Sequence, residues 1–234
     1  ASNLDGTIFG KKSNDEIILC LNYDGLYGIN NINHFLQENN PNIPYRWGLW
    51  TFKVEDPILF NESERFMPVL YNNLKGTIVD IELDDDNDCI WFSVEVDKPL
   101  TELDVMHQDL ELLDSTTPGK SVVRFRVARK KDSDDDNDFA DDTDIPFQIA
   151  YAVSIHKAQG LEYDSVKVII TREVEEMITH NIFYTAITRS KQHLKIYWSP
   201  ETQEKILSSF KVMDTKRDAS IFAAQSQMKM RKIK

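Results

Sequence analysis

Ser154-Ile155-His156-Lys157-Ala158-Gln159-Gly160-Leu161-Glu162-Tyr163-Asp164 is the stretch that decides the fold of this chain. The apolar run Ile149-Ala150-Tyr151-Ala152-Val153 before it reads as a buried strand, and Val166 to Thr171 after it reads as the next. Between them the chain changes to small, polar and basic side chains, with a glycine that lets backbone approach a ligand. Ser154 through Gly160 is therefore expected to form a short helix at a strand-end ligand site. Downstream, Asn181 to Ser190 reads as a helix and Leu194 to Trp198 as a strand. Pro200 then opens a helix carrying Ile206 and Leu207. Within Tyr184-Thr185-Ala186-Ile187-Thr188-Arg189-Ser190-Lys191, the apolar residues Phe183, Ala186 and Ile187 can pack inward and leave Arg189 to project. Alternating strands and helices predict a parallel sheet covered on both faces.

Upstream, Ile17 to Leu21 reads as a strand and Asn22 to Gly28 as a turn-rich loop. Ile29, Ile32, Phe35 and Leu36 then recur at helical spacing, a unit expected to join the same sheet. The middle of the chain has a different pattern. Trp47 to Phe60 is strand-rich, with Pro57 marking an edge or a bulge. Gly76 to Leu83 and Cys89 to Val96 flank an acidic turn as a hairpin, and Val122 to Val127 supplies another strand. Residues 67–129 therefore read as a small antiparallel barrel or sheet inserted into the other architecture.

The chain has 234 residues, 41% hydrophobic and 28% charged, enough for one large or two small domains. Its longest apolar runs fall far short of the ~20 residues a membrane-crossing helix needs. Cys20 and Cys89 stand apart, without a CxxC partner, which predicts a reducing, cytoplasmic setting and no structural metal. Ala1-Ser2-Asn3 reads as a remnant of expression. The net charge of −12 would argue against a nucleic-acid partner, but 13 of the 39 acids sit in two segments, 82–88 and 132–144, that contain no base. The other 26 acids are matched by 27 bases, so the acidity excludes nothing. The run from Asp132 to Asp144 is expected to be a solvated loop, and the last 24 residues form a basic tail.

The segments 154–164 and 184–191 resemble, in order and spacing, motifs V and VI of superfamily 1 helicases. The RecD-like and UvrD-like C-terminal domains are the closest in pattern. Gly25-Leu26-Tyr27-Gly28 through Leu36-Gln37 is similar to the start of the second RecA-like domain in the RecD-like branch. Asn72-Asn73-Leu74-Lys75-Gly76-Thr77-Ile78 is similar to the turn that leads into that branch's inserted barrel. The resemblance implies an α/β fold: a RecA-like parallel sheet with helices on both faces, interrupted by a small SH3-like antiparallel β-barrel. Residues 1–66 would be the first part of the RecA-like domain, 67–146 the insertion with its acidic loop, and 147–234 the remainder with the tail.

The resemblance also implies roles. Ser154, His156 and Lys157 would contact single-stranded DNA, with RNA as an open alternative. Gln159, Gly160 and Glu162 would face the nucleotide cleft, and Arg189 would be an arginine finger acting on ATP and Mg2+. The phosphate-binding domain that precedes this region in the family would be a partner in cis, and the present chain alone would be inactive. Its nearest imitation of a phosphate loop, Asp114-Ser115-Thr116-Thr117-Pro118-Gly119-Lys120-Ser121, starts on aspartate and leads into a strand. Val79-Asp80-Ile81-Glu82 imitates a magnesium-binding strand end inside a hairpin. Asp84, Asp86, Asp88 and Glu95 imitate a calcium loop with Cys89 in the glycine position. Trp91, Phe92 and Phe125 could stack on bases or fill the insertion's core, and alternation favours the core. The competing reading is a non-catalytic interaction module on a helicase-derived scaffold.

Overall fold

The computed structural model describes residues 15–61, 65–129 and 144–211. The acidic stretch up to residue 143 and the tail beyond residue 211 lie outside the described residues. Two sheets organise the chain. The first is parallel and has four strands: β1 (Glu16–Cys20), β10 (Ala152–Ser154), β11 (Tyr163–Ile169) and β12 (Ser190–Tyr197), in the order β10-β1-β11-β12. Ile17, Ile18, Leu19 and Cys20 are all buried, because both faces of this sheet are covered. Ile18 and Cys20 pack with Ile29, Ile32 and Leu36 of helix α1 (Ile29–Glu38). Ile17 and Leu19 face the other way, sharing a core with Ala186 of helix α3 (His180–Ile187) and Ile206 of helix α4 (Pro200–Lys211). The upstream strand and the downstream strands thus share one sheet, with β1 between β10 and β11.

The second sheet is antiparallel and has six strands: β4 (Pro57–Phe60), β5 (Lys75–Asp84), β6 (Cys89–Val96), β7 (Glu111–Leu113), β8 (Ser121–Ala128) and β9 (Phe147–Ile149). Its order is β7-β8-β6-β5-β4-β9, so pairing runs from one edge strand to another among the described residues. The expected hairpin is β5 and β6, joined across the acidic turn. A bulge between Ile78 and Asp80 leaves Val79 exposed. Strands β4 and β9 lie outside the bounds 67 and 146 yet pair within this sheet. A two-stranded hairpin, β2 (Tyr45–Trp47) with β3 (Trp50–Phe52), and the short helix α2 (Glu102–Val105) complete the elements before β9.

Three local expectations are corrected. The run 149–153 is two strands: β9 ends at Ile149 in the antiparallel sheet, and β10 begins at Ala152 in the parallel one. The break falls at Tyr151, whose hydroxyl donates to the fully buried Asp56 at 2.7 Å. Asp56 also accepts from Gln37 Nε2 at 2.5 Å, Asn40 Nδ2 at 3.0 Å and the Lys53 backbone N–H at 2.8 Å. Pro57 opens a strand flanked on both sides, by β5 and β9, because proline at a first strand position removes no essential ladder donor. Residues 155–160 form hydrogen-bonded turns rather than a helix: Ser154 Oγ accepts the Lys157 N–H at 3.0 Å, and Gly160 follows at φ +86°.

Candidate functional site

The turn after β10 starts at the carboxyl end of the parallel sheet, where Ser154 is level with Cys20. Ser154 is buried, and its hydroxyl keeps its own proton to donate while accepting from Lys157. His156 is exposed, and the structure gives its ring no hydrogen bond. Lys157 turns toward the antiparallel sheet: its ammonium donates to Asn61 Oδ1 at 2.6 Å and to Gln148 Oε1 at 2.9 Å. Both acceptors are neutral, and burial holds the ammonium below the usual lysine range. One of its three donors is left for an anion. Ser154, His156 and Lys157 therefore share the turn at one sheet edge, with the Lys157 ammonium directed to the antiparallel sheet. An open depression of about 600 Å³ in the loop and helix that follow β1 is lined by Asp24, Gly25, Leu26, Asn30, Asn31 and His34.

The chain then descends to the opposite edge. Gln159, Gly160 and Glu162 are exposed along the way. No atom lies within 4 Å of where a Gly160 Cβ would stand, so its constraint is conformational rather than steric. Strand β11 begins at Tyr163, paired with Ser190, at the level where β1 begins. Four residues of β1, about 13 Å at strand rise, separate the levels of Ser154 and Ser165. Arg189 sits at this lower edge.

Arg189 does not project freely, contrary to expectation. Its Nε donates to Thr185 O at 3.0 Å, Nη1 to Leu161 O at 2.9 Å and Nη2 to Thr188 Oγ1 at 3.2 Å, and the side chain is half-buried. The cause lies in α3, whose last carbonyls lack intrahelical donors and carry the negative end of the helix dipole. Thr188 Oγ1 donates to Tyr184 O at 2.8 Å, and the guanidinium fills the next position. All three acceptors are neutral. Two of the five guanidinium N–H groups are left for a further acceptor.

Sequence reasoning missed the residues that brace this edge. Lys75 of β5 donates to Asp15 Oδ1 at 2.6 Å and to Glu162 O at 3.2 Å, with its ammonium 4.5 Å from the Tyr163 ring centre. Asp15 Oδ2 accepts the Asp164 N–H at 3.1 Å, and Tyr163 N–H donates to Arg189 O at 2.8 Å. No short-range pattern connects these positions. The decoys resolve as turns: Gly119 has φ +78°, and Lys120 is tied to Glu95 at 3.1 Å and Asp97 at 2.9 Å. Asp84 accepts from Asn87 within the β5–β6 turn. Among the insertion's aromatics, Phe92 and Phe125 are fully buried, and Arg124 lies 4.6 Å over the Trp91 ring.

Residues 149–197 match the model of the UvrD-like helicase C-terminal domain, a span that holds every site residue named above from Ser154 to Arg189. The RecBCD enzyme subunit RecD of Mycolicibacterium smegmatis is 37% identical over 54 residues, covering 23% of this chain and 9% of that protein. The same subunit of Buchnera aphidicola is 24% identical over 208 residues, covering 83% of this chain and 28% of its own length. This chain thus spans a minor part of the relatives it matches. Among solved structures, Bacteroides Pif1 bound to single-stranded DNA aligns with 80% of this chain and 41% of its own, at 15% identity and a TM-score of 0.44. Over residues 149–197, the strands and helix that form both edges of the site, the chain is thus similar to the C-terminal domain of UvrD-like helicases.

Proposed function

We propose that this chain is the second RecA-like motor domain of an ATP-dependent superfamily 1 DNA helicase, with 67–146 as an SH3-like insertion entered through β4 and left through β9. The observation that carries the reading is the arrangement of one segment, 154–162, between two edges of one parallel sheet. Ser154, His156 and Lys157 lie at the carboxyl edge, and Leu161 O holds Arg189 at the other. In this reading Ser154, His156 and Lys157 hold the phosphates of single-stranded DNA, a salt-sensitive attachment. Gln159, Gly160 and Glu162 line the nucleotide cleft. ATP with Mg2+ supplies the phosphoryl chemistry in a site shared with a first RecA-like domain beyond this sequence. This chain contributes the guanidinium of Arg189, two of whose N–H groups can meet the charge that develops on the transferred phosphoryl oxygens. Cys20 and Cys89 are buried and not joined in a disulfide, which accords with a cytoplasmic setting. Among the described residues no helix is long and apolar enough to cross a membrane.

The docking of Arg189 on acceptors of its own chain gives the interaction-module reading its support, since a guanidinium bound in this way can also be purely structural. The discriminating measurement is ATP hydrolysis, with and without single-stranded DNA, by this chain and by the full gene product. A silent chain and a DNA-stimulated full product are expected. A silent full product would leave the scaffold reading standing.

A further inference from the structure

The backbone from Leu161 to Asp164 is held from three directions. Arg189 takes Leu161 O, Asp15 takes the Asp164 N–H, and Lys75 takes Glu162 O. Arg189 and Asp15 belong to the parallel sheet or its flanks, whereas Lys75 reaches across from the antiparallel sheet. Its ammonium has Asp15 at 2.6 Å, Asp97 at 3.6 Å and the face of Tyr163 beneath it, and its side chain is only 22% exposed. An ammonium so enclosed has little rotamer freedom left, so the carbonyl it holds is fixed relative to the inserted sheet. At the other end of the same segment, Lys157 is held by Asn61 and Gln148, the residues that follow β4 and lie within β9. The inserted sheet therefore grips the 157–162 segment at both ends.

We infer that Lys75 is a positioning residue for Arg189, acting through the consecutive carbonyls of Leu161 and Glu162. This rests on the arginine-finger reading for its consequence in catalysis, but not for the positioning itself. Moving the Glu162 peptide moves its neighbour Leu161 O, and with it one of the three acceptors that fix the guanidinium. The insertion thereby sets where the finger rests, and whatever binds the insertion near Asp97 or Lys75 would be read at Arg189.

The test joins two readouts. In the 234-residue chain, the Arg189 Nε–H resonance reports its bond to Thr185 O. Lys75→Met should shift that resonance and speed its exchange, while Lys75→Arg, which keeps the donors, should restore it. Lys75→Gln serves the same purpose should the methionine variant not fold. In the full gene product, Lys75→Met should lower kcat by about tenfold to a hundredfold, with the KM for ATP and the affinity for single-stranded DNA within about twofold of wild type. An unmoved Arg189 resonance in both neutral variants, or an unchanged kcat in an active full product, overturns the inference. A full product without ATPase activity would defeat the helicase reading alone, since the resonance still decides whether Lys75 positions Arg189.

Discussion

Arg189 and Lys75 donate to consecutive carbonyls, Arg189 Nη1 to Leu161 at 2.9 Å and Lys75 Nζ to Glu162 at 3.2 Å. Two cations, one flanking the parallel sheet and one within the antiparallel sheet, thus hold adjacent peptide units. A guanidinium at a helix C-terminus would contribute modestly to stability wherever it sat, so its effect on stability and its effect on turnover can be separated.

Arg189→Ala should cost this chain about 1.5–3 kcal/mol, the range for hydrogen bonds from a charged donor at a helix C-terminus. In the full gene product the same change should lower ATP turnover at least about a thousandfold, as loss of an arginine finger does, with nucleotide binding retained. Arg189→Lys should not restore turnover, because a point charge cannot reproduce the fork that reaches Leu161 O and a phosphoryl oxygen together. Steady-state kinetics beside a nucleotide-binding isotherm checks this. Turnover within about twofold of wild type in the alanine variant would remove Arg189 from the finger role.

His156 is exposed at the carboxyl edge, where the structure gives its ring no hydrogen bond. His156→Ala should therefore leave stability within about 0.5 kcal/mol while weakening single-strand binding by the full product by about 1 kcal/mol, a single hydrogen bond's worth. The check is a set of binding isotherms across a salt series. Affinities that overlay wild type at every salt concentration would remove His156 from the DNA site.

Much of this was legible because it is local. The buried run Ile17 to Leu21 reads as a strand expected to join the downstream strands, and β1 does share one parallel sheet with β10, β11 and β12. The alternation in β5 and β6 predicts a hairpin with Phe92 inward. What escaped depends on partners distant in sequence. Nothing around Tyr151 signals a break between two sheets, since the break is made by Asp56, an ordinary turn residue until it is buried. Lys75 likewise reads as a surface lysine before a strand, and only the fold brings Asp15 and Glu162 to it. Arg189 was expected to project because helix periodicity describes faces, whereas the unfilled carbonyls at the end of α3 drew its side chain back.

Asp56 gives a prediction with a sign in pH. Desolvation raises its pKa above the ordinary 3.8, outweighing the hydrogen bonds from Gln37, Tyr151, Lys53 and Asn40 that lower it. A carboxyl raised in the folded state favours folding when protonated. Its share of stability is fully present below the unfolded pKa and is lost as pH rises through the folded one. Asp56→Asn cannot titrate, so wild type should gain stability relative to the variant as pH falls from neutral toward 4. Asp56→Ala should cost about 3–5 kcal/mol at neutral pH, because four donors lose their acceptor. Chemical denaturation of the three proteins across the acidic range checks both statements, and a wild-type advantage that shrinks on acidification would contradict the first.

The aromatic residues of the insertion offer the sharpest contrast between packing and recognition. Phe125 is fully buried, with the Phe66 ring centre at 5.2 Å, Phe92 and Phe147 at 6.1 Å and Phe60 at 6.2 Å. Removing it empties the middle of that cluster, so Phe125→Ala should cost about 3–5 kcal/mol. Trp91, by contrast, lies on the outer side of β6 with the Arg124 guanidinium over its ring, and Arg124 is in turn held by Glu82 at 2.6 Å. A ring covered in this way offers no open face on that side to a base, and its loss removes a cation–π contact worth about 0.5–1 kcal/mol at an exposed site. Trp91→Ala should therefore change stability by about 1 kcal/mol and leave single-strand affinity of the full product unaltered. Urea unfolding of both variants, paired with isotherms for Trp91→Ala, tests the contrast. A binding loss in Trp91→Ala near the 1–3 kcal/mol typical of base stacking would mean that Arg124 leaves the ring when a strand arrives, and that the outer face of this sheet holds nucleic acid.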